Sequence, residues 1–193
     1  SLSQLPAPDA HLAFYTVHQY GTVFIGGQQV YSPKPSGAQR IQTIGSNWIM
    51  IPLCPEDMGK EIRVEITPVY EPFRNRQVEF LIGSRSEIYG DRLAQDFPQL
   101  ALGAMAVLVG FAFLCIAVYR LVRKRGSEGL ASLGLFSIMM GLWRLTDTRF
   151  TPFLVPEKPI LLFYISVGML MIGIVPLIRS VQWRFHPASR RIL

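Results

Sequence analysis

A run of 23 residues from Phe97 to Tyr119 contains no Asp, Glu, Lys or Arg. At about 1.5 Å per residue, a helix of this length crosses the roughly 30 Å hydrocarbon core of a bilayer with some tilt. Pro98 fits the first turn of such a helix, where an N–H group would lack a partner in any case. The sequence therefore predicts a membrane-spanning helix at residues 97–122, ended by Arg120 and the basic residues after it.

Two shorter uncharged segments follow the first. The stretch at 159–178 holds 20 residues and predicts a span at 158–178, with a loosened or kinked last turn at Pro176. The stretch at 129–143 holds only 15, so a span at 129–147 must include Arg144 and Asp147, which can pair on one helical face. A buried or re-entrant helix is the alternative for this segment. Glycines in and beside the two segments predict faces for close helix packing: Gly126, Gly129, Gly134, Gly141, Gly168 and Gly173.

Charge divides the chain at the same place as hydropathy. Residues 1–98 carry 8 Lys and Arg against 10 Asp and Glu, whereas residues 99–193 carry 11 against 3. The net charge of +6 therefore comes from basic residues that flank apolar runs, and it does not indicate a basic surface for nucleic acid. We expect no nucleic-acid partner.

The basic residues also predict which side of the membrane each segment faces. Four lie in the 120–125 turn and four in the 179–193 tail, whereas the 144–158 loop has three. By the positive-inside rule, residues 123–128 and 179–193 are cytoplasmic and residues 1–96 are extracellular, in a multi-pass protein of the plasma membrane. An outer N-terminal domain needs an upstream signal or anchor. None is visible at residues 1–5, so we expect a processed or truncated chain.

The first 86 residues have the pattern of short β-strands. Residues 60–67 alternate polar and apolar side chains without interruption, as in a strand with one buried face. Gly26-Gly27 predicts a tight hairpin, because both glycines reach positive φ easily. Prolines between the runs favour an antiparallel sandwich, jelly-roll-like and, at this length, incomplete. The other predicted strands are 12–18, 23–25, 28–31, 48–53 and 78–82.

The predicted fold class is thus an all-β extracellular sandwich followed by three transmembrane α-helices. The sandwich occupies residues 1–86, and a linker at 87–96 connects it to the first helix.

Few side chains have the spacing of a chemical site. Cys54 and Cys115 fall in different halves, and His11 and His18 are seven residues apart, which puts them on opposite faces of a single strand. A ligand or pH-sensing role for either histidine is the alternative to ordinary packing. The acidic pairs Glu56/Asp57 and Glu61/Glu65 are interpreted as solvated surface. We predict no catalytic residue, no metal site and no cofactor, so the chain itself is not expected to be an enzyme.

Three groups of residues are binding or coupling candidates. Arg144 and Asp147 form either a structural pair at the outer boundary or a coupling element that shifts when the outer domain binds something. Aromatic residues of the first half could stack on sugar rings, although strand packing also explains them: Tyr15, Tyr20, Tyr31, Trp48, Tyr70 and Phe73. Basic and aromatic tail residues suit an anionic cytoplasmic leaflet: Arg179, Trp183, Arg184, Phe185, Arg190 and Arg191.

An outer β-domain followed by several membrane helices resembles bacterial receptors whose membrane regions carry diverse intracellular signalling modules. Residues 23–31 (VFIGGQQVY), and 45–53 (GSNWIMIPL) leading to 58–62 (MGKEI), are similar to segments of galactose-binding jelly rolls. Residues 141–145 (GLWRL) and 174–178 (IVPLI) are similar to the input regions that precede diguanylate cyclase (GGDEF) domains. The chain departs from the pattern at Gly26, where an acidic residue is usual.

The resemblance implies a membrane sensory input module in signal transduction. Its outer domain would bind an extracellular small molecule, carbohydrate or partner, and the helices would pass the signal to a cytoplasmic signalling domain outside this chain. Two other classes stay open: a membrane-tethered glycan- or ligand-binding module without signalling, and a subunit of a membrane transport complex. The lipid bilayer is a partner in all three, and a homodimer is compatible with each.

Overall fold

The protein divides into two compact units. The computed structural model describes residues 9–33, 45–73, 78–156 and 158–185. The first unit comprises Ser1–Gln95 with Pro152–Leu162, and the second comprises Asp96–Thr151 with Phe163–Leu193. The chain passes from the first unit to the second two residues before Pro98, where charge and hydropathy change.

Two three-stranded antiparallel sheets make up the described strands of the first unit. Sheet A has the order β4-β1-β6 and sheet B the order β3-β2-β5. The strands are β1 (Ala10–Val17), β2 (Gln19–Ile25), β3 (Gln28–Tyr31), β4 (Ser46–Pro52), β5 (Ile62–Pro68) and β6 (Phe80–Ser84). Each predicted strand overlaps one of them, so the prediction of strands in this region is confirmed. The six strands establish two small antiparallel sheets and do not by themselves establish the predicted jelly roll.

The predicted hairpin joins β2 to β3. Gly26 and Gly27 have φ of 56° and 82°, and they bring Ile25 opposite Gln28. Two consecutive positive φ values match the twist of the flanking strands, which is why glycine is favoured at both positions.

One face of each sheet contributes to a shared apolar core. Phe14 of β1 is completely buried in it, and a Cβ atom on Gly21 of β2 would lie 2.7 Å from the Phe14 ring. Glycine at position 21 therefore provides the space that this ring occupies. The other buried members are Ala10, Leu12, Val23, Ile25, Ile49, Ile51 and Leu53. Along β5 the apolar residues Ile62 and Val64 pack against this core, as the alternation predicts.

The chain changes from sheet A to sheet B at a single residue, His18. Its φ is 51°, a left-handed conformation that costs a non-glycine residue about 1–2 kcal/mol. Two backbone hydrogen bonds hold it there: the His18 N–H donates to the Gly45 carbonyl at 2.9 Å, and its carbonyl accepts from the Val69 N–H at 2.9 Å. β1 and β2 are thus adjacent in the chain and central in different sheets.

Three helices are long and apolar enough to cross a membrane. They are α1 (Arg85–Val122), α2 (Glu128–Thr146) and α4 (Pro159–Phe185), and their most apolar 18-residue stretches have mean hydropathies of 2.6, 1.3 and 2.4. Even α2, with 19 residues, is roughly 28 Å long. A short helix, α3 (Thr151–Leu154), lies between α2 and α4. The length and composition of the three helices are those of a membrane protein.

Two helices are longer than the predicted spans. Residues 87–96, predicted as a linker, form the early turns of α1, which begins at Arg85. A capping box fixes this start, because the Ser84 N–H donates to Glu87 Oε2 at 2.8 Å and the Glu87 N–H donates to Ser84 Oγ at 3.2 Å. Likewise α4 continues past 178 to Phe185, so the first part of the predicted tail is helical. Residues 186–193 lie outside the described residues.

Within the second unit, α1 and α2 pack through two pairs of glycines. A Cβ atom on Gly110 would lie 2.6 Å from the Gly134 carbonyl oxygen, and one on Gly141 would lie 2.6 Å from that of Gly103. Between the two pairs, Ser137 Oγ donates to the Ala106 carbonyl at 2.8 Å. Such contacts let two backbones approach more closely than larger side chains allow.

The prediction of glycine packing faces is confirmed at some positions and not at others. Gly134 and Gly141 face α1, and Gly129 and Gly173 lie near Trp183 and Met139. Open space surrounds Gly126 and Gly168, where a Cβ atom would meet nothing within 4 Å among the described residues.

Candidate functional site

The second face of sheet A is covered by side chains from helical segments of the first unit. Trp48 of β4 lies opposite Tyr15 of β1, with ring centroids 5.1 Å apart. Phe153 of α3 stacks on Trp48 at 5.0 Å with an interplanar angle of 14°, and Tyr89 of α1 lies 4.4 Å from Phe153. We call these four residues, together with Arg92, the Trp48 cluster. It joins sheet A to the first turns of α1 and to the segment between α2 and α4.

Arg92 provides the only charge of the Trp48 cluster. Its guanidinium carbon lies 5.1 Å from the centre of the Trp48 ring, a cation–π contact. Its Nη2 donates to Glu79 Oε1 at 2.6 Å and its Nη1 donates to Gln95 Oε1 at 2.8 Å. The Arg92 side chain is 3% exposed, whereas that of Glu79 is 49% exposed.

The hydrogen bonding of Arg92 is incomplete within the described part of the chain. Its Nε is buried and has no partner among the described residues. Burying a guanidinium is costly unless all its donors are satisfied, and an apolar side chain of similar size would pack at lower cost. Its presence at this position therefore favours a functional role over simple packing.

A second set of contacts, all within the second unit, holds the turn between α2 and α3. The buried Asp96 carboxylate accepts the Phe150 N–H at 2.7 Å. Thr151 Oγ1 donates to the Leu145 carbonyl at 2.5 Å and lies 2.7 Å from Thr148 Oγ1. The turn that follows α2 is therefore held by side-chain hydrogen bonds immediately before Phe153.

The structure does not bring the two histidines together. His11 lies near the start of β1, where its Nδ1 is 2.6 Å from the Asp9 carbonyl oxygen. His18 follows the end of that strand and packs edge-on against Tyr70 at 5.9 Å. Seven residues of extended chain separate them by roughly 23 Å. No group of three His, Cys, Asp or Glu side chains that could hold a metal occurs among the described residues.

The aromatic candidates for a sugar platform are distributed over several places. Tyr15 and Trp48 belong to the Trp48 cluster, Tyr31 packs against the shared core, and Tyr70 packs on His18. Burial raises the pKa of the Tyr31 hydroxyl. Tyr20 is half-buried on β2, and the side chain of Phe73 lies outside the described residues. These positions do not form one continuous stacking surface.

The charged candidates have separate surroundings. Glu61 and Glu65 are exposed, and Glu65 Oε1 lies 3.2 Å from Arg63 Nη2. The Arg144 guanidinium lies over the Trp143 ring at 5.6 Å, and no ion pair joins it to Asp147 among the described side chains. Arg144 therefore attracts the Asp147 carboxylate from a distance and makes its close contact with Trp143.

Sequence reasoning missed most of the Trp48 cluster outside the strands. Ile88, Arg92 and Asp96 are buried and spaced by four residues, which is the signature of one helix face. With the Ser84-x-x-Glu87 capping box before them, this spacing could have identified the start of α1 and its buried face. No local signal could have identified Phe153, because its partners come from distant parts of the chain.

Comparison with protein-family models, with curated proteins and with solved structures finds no match to this chain.

Proposed function

We propose that this chain is a membrane sensory input module. Its β-domain, which we take to be a galactose-binding-like jelly roll, binds an extracellular small molecule, carbohydrate or protein partner. The helices pass the change to a cytoplasmic effector, of the diguanylate cyclase type, outside this chain. In this proposal residues 1–96 are extracellular, and residues 123–128 and 179–193 are cytoplasmic.

The observation that supports the proposal is the composition of the Trp48 cluster. Trp48 contacts Phe153 of α3 and Arg92 of α1 directly, so a shift of β4 must displace both or lose stacking and cation–π energy. Closely packed side chains transmit such displacements because they leave no free space to absorb them. A ligand that binds one arrangement of sheet A better than another would thereby bias α1 and α3.

The connections of these two elements favour a signalling role over simple anchoring. α1 is one unbroken helix from Arg85 to Val122, and α3 is followed by α4 after a short segment. A module that only captured a ligand at the surface would need one anchoring helix, whereas this chain has three candidate spans. The three spans therefore disfavour the tethered-binding alternative.

The test uses the whole chain fused at its C-terminus to a diguanylate cyclase reporter domain. Phe153→Ala should change cellular cyclic di-GMP by about threefold or more, because coupling residues typically contribute 0.5–2 kcal/mol. Tyr164→Ala, on an exposed part of α4, is the matched control and should leave the output unchanged. Both proteins must reach the membrane in equal amounts.

Equal outputs from the wild-type chain, Phe153→Ala and Tyr164→Ala would reject the signalling proposal. Binding of a glycan with no change of output would instead support the tethered module. Co-purification with a larger pore-forming complex would support the transport-subunit alternative.

A further inference from the structure

Two neighbouring cavities lie among the three long helices, within the second unit. The first has a volume of about 670 Å³ and a mixed lining, with apolar residues such as Leu130 and Leu133 beside the polar and aromatic residues Arg120, Ser127, Glu128, Ser180 and Trp183. We call it the polar cleft. The second, of about 400 Å³, is lined mainly by apolar groups of α1, α2 and α4, including Leu114, Ala131, Leu135, Val175 and Pro176. We call it the apolar groove.

The two cavities share one wall. Glu128 lines both, and its Oε2 lies 3.6 Å from Nη2 of Arg179, which lines the groove. The pair neutralises the acidic charge at this boundary, although both side chains are about half exposed and the bond is weak. A polar chamber next to an apolar one matches a molecule with a polar head and a hydrocarbon chain.

The polar cleft has the donors that an anion requires. Arg120 lines it, and no acidic side chain lies within ion-pair distance of Arg120 among the described residues. Ser127 also lines it, is 9% exposed, and makes no side-chain hydrogen bond as the N-cap of α2. The first backbone hydrogen bond to the Ser127 carbonyl comes from Ala131, so the earlier N–H groups of α2 have no partner within the helix. An accessible hydroxyl on a largely buried residue, N–H groups without partners in the helix and a cation together favour a phosphate group.

Trp183 lines the cleft, and tryptophan is enriched at the boundary between hydrocarbon and headgroups. It packs against Gly129 at the start of α2, where a Cβ atom would lie 3.3 Å from the Cβ of Trp183. A free phosphate would not need the adjacent apolar groove, whereas a phospholipid would occupy both chambers.

We infer that the polar cleft and the apolar groove together bind one anionic phospholipid. Its phosphate lies at Arg120, Ser127 and the N-terminus of α2, and one acyl chain lies along the groove between Leu135 and Val175. This inference is independent of the proposed signalling function, because it concerns a site that any of the three functional classes could contain.

The experiment measures lipid binding to the purified full chain by native mass spectrometry in mild detergent. Phosphatidylglycerol should bind at least about tenfold more tightly than phosphatidylcholine of the same chain length, because the two share the phosphate but only phosphatidylcholine brings a choline cation close to Arg120. Arg120→Gln should remove most of this difference. Arg123→Gln is the matched control, since Arg123 belongs to the same basic turn but contacts Tyr119 at 5.6 Å. Ala131→Phe should fill the groove and weaken both lipids, whereas Ala112→Phe at an exposed position of α1 should weaken neither.

Ser127→Ala is the second test of the headgroup site, in case Arg120→Gln does not fold, and it should weaken phosphatidylglycerol selectively. Circular dichroism and gel filtration establish that each variant is folded. Equal affinity for the two lipids, or equal effects of Arg120→Gln and Arg123→Gln, would overturn the inference. Displacement of the lipid by millimolar inorganic phosphate would also overturn it, because the site would then bind a free anion.

Discussion

The guanidinium of Arg92 is nearly inaccessible to solvent, and Glu79 is the carboxylate that pairs with it at 2.6 Å. Removing a partner of a buried charge costs more than the pair itself contributes, because the remaining charge has lost both water and its counter-ion. Exposed pairs behave differently, since water replaces the lost partner. The first unit contains examples of both kinds, Arg92–Glu79 and the exposed Arg63–Glu65, which permits a direct comparison.

Glu79→Gln should lower the free energy of unfolding of the first unit by about 1–3 kcal/mol, because it leaves the Arg92 charge buried without a carboxylate. Glu65→Gln is the control, since Glu65 and Arg63 have side chains that are 53% and 61% exposed. It should cost less than about 0.5 kcal/mol. Chemical denaturation followed by tryptophan fluorescence measures the free energy of unfolding of both variants. Equal losses would contradict the claim that the burial of Arg92 makes its carboxylate partner more important than that of an exposed arginine.

Asp57 provides a pH-dependent contribution in the 3-10 turn at Pro55–Asp57. The Cys54 N–H donates to Asp57 Oδ2 at 3.0 Å, and Lys60 Nζ donates to Asp57 Oδ1 at 3.1 Å. Both bonds lower the pKa of Asp57 below the ordinary 3.8, and the bond from Cys54 has the larger effect. A lowered pKa in the folded state means that the stabilisation is complete above pH 3.8 and is lost as the pH falls through the lowered value.

Asp57→Asn should therefore be less stable than the wild-type chain at pH 5, and the difference should narrow as the pH is lowered below 3.8. Thermal unfolding at a series of pH values measures this difference. Glu56→Gln, at the exposed neighbouring position, is the control. If the stability difference between the wild-type chain and Asp57→Asn stays constant across the pH series, ionisation of the Asp57 carboxylate does not cause it.

Among the elements, those with a strong local pattern were predictable from the sequence. The uncharged runs predicted the three long helices because length and hydropathy alone decide whether a helix can span a bilayer. The alternation in β5 predicted its exposed and half-buried faces, because side-chain direction alternates with position along a strand. Residues 87–96 were predicted as a linker because polar residues hide the four-residue spacing of Ile88, Arg92 and Asp96.

The close packing of α1 against α2 should make a glycine-to-alanine substitution destabilising, although this substitution normally stabilises a helix. Glycine to alanine inside a helix ordinarily adds about 1 kcal/mol of stability. At Gly110 the new Cβ would lie 2.6 Å from the Gly134 carbonyl oxygen, so the two helices must separate, at a cost of about 1–3 kcal/mol. Gly110→Ala should therefore destabilise the second unit.

Gly168→Ala is the matched control, because a Cβ atom there would meet nothing within 4 Å among the described residues. It should leave stability unchanged or raise it. Unfolding in mixed detergent micelles, followed by far-ultraviolet circular dichroism, compares the two variants. A stabilising effect of Gly110→Ala would contradict the close approach of α1 and α2.

For the molecule as a whole, its two free cysteines test the proposed orientation in the membrane. Cys54 and Cys115 are both exposed, and Cys115 lies within α1 whereas Cys54 lies in the first unit. A membrane-impermeant maleimide added to intact cells should label Cys54, because the first unit faces outward in our proposal. Cys54→Ser should remove the label and Cys115→Ser should not. Labelling of Cys54 only in permeabilised cells would show that the first unit faces the cytoplasm and would contradict the proposed orientation.

Contacts between residues that are distant in the sequence could not be predicted. The sequence made Trp48 a candidate either for stacking on a sugar or for strand packing, and neither interpretation identified its partner Phe153, whose ring lies 5.0 Å away. Neither the segment around Phe153 nor that around Glu79 has a periodic pattern that indicates its partner. The Trp48 cluster therefore became recognisable only when the fold was known.

His18 alone separates β1 from β2, so the middle strands of the two sheets are consecutive parts of one peptide. The His18 N–H donates to Gly45, which precedes β4 of sheet A, and the His18 carbonyl accepts from Val69, which follows β5 of sheet B. Loss of the middle strand from either sheet therefore breaks one of the two bonds that hold the left-handed residue. The two sheets should therefore melt together as one cooperative body, and a partially open first unit with a single intact sheet should not accumulate.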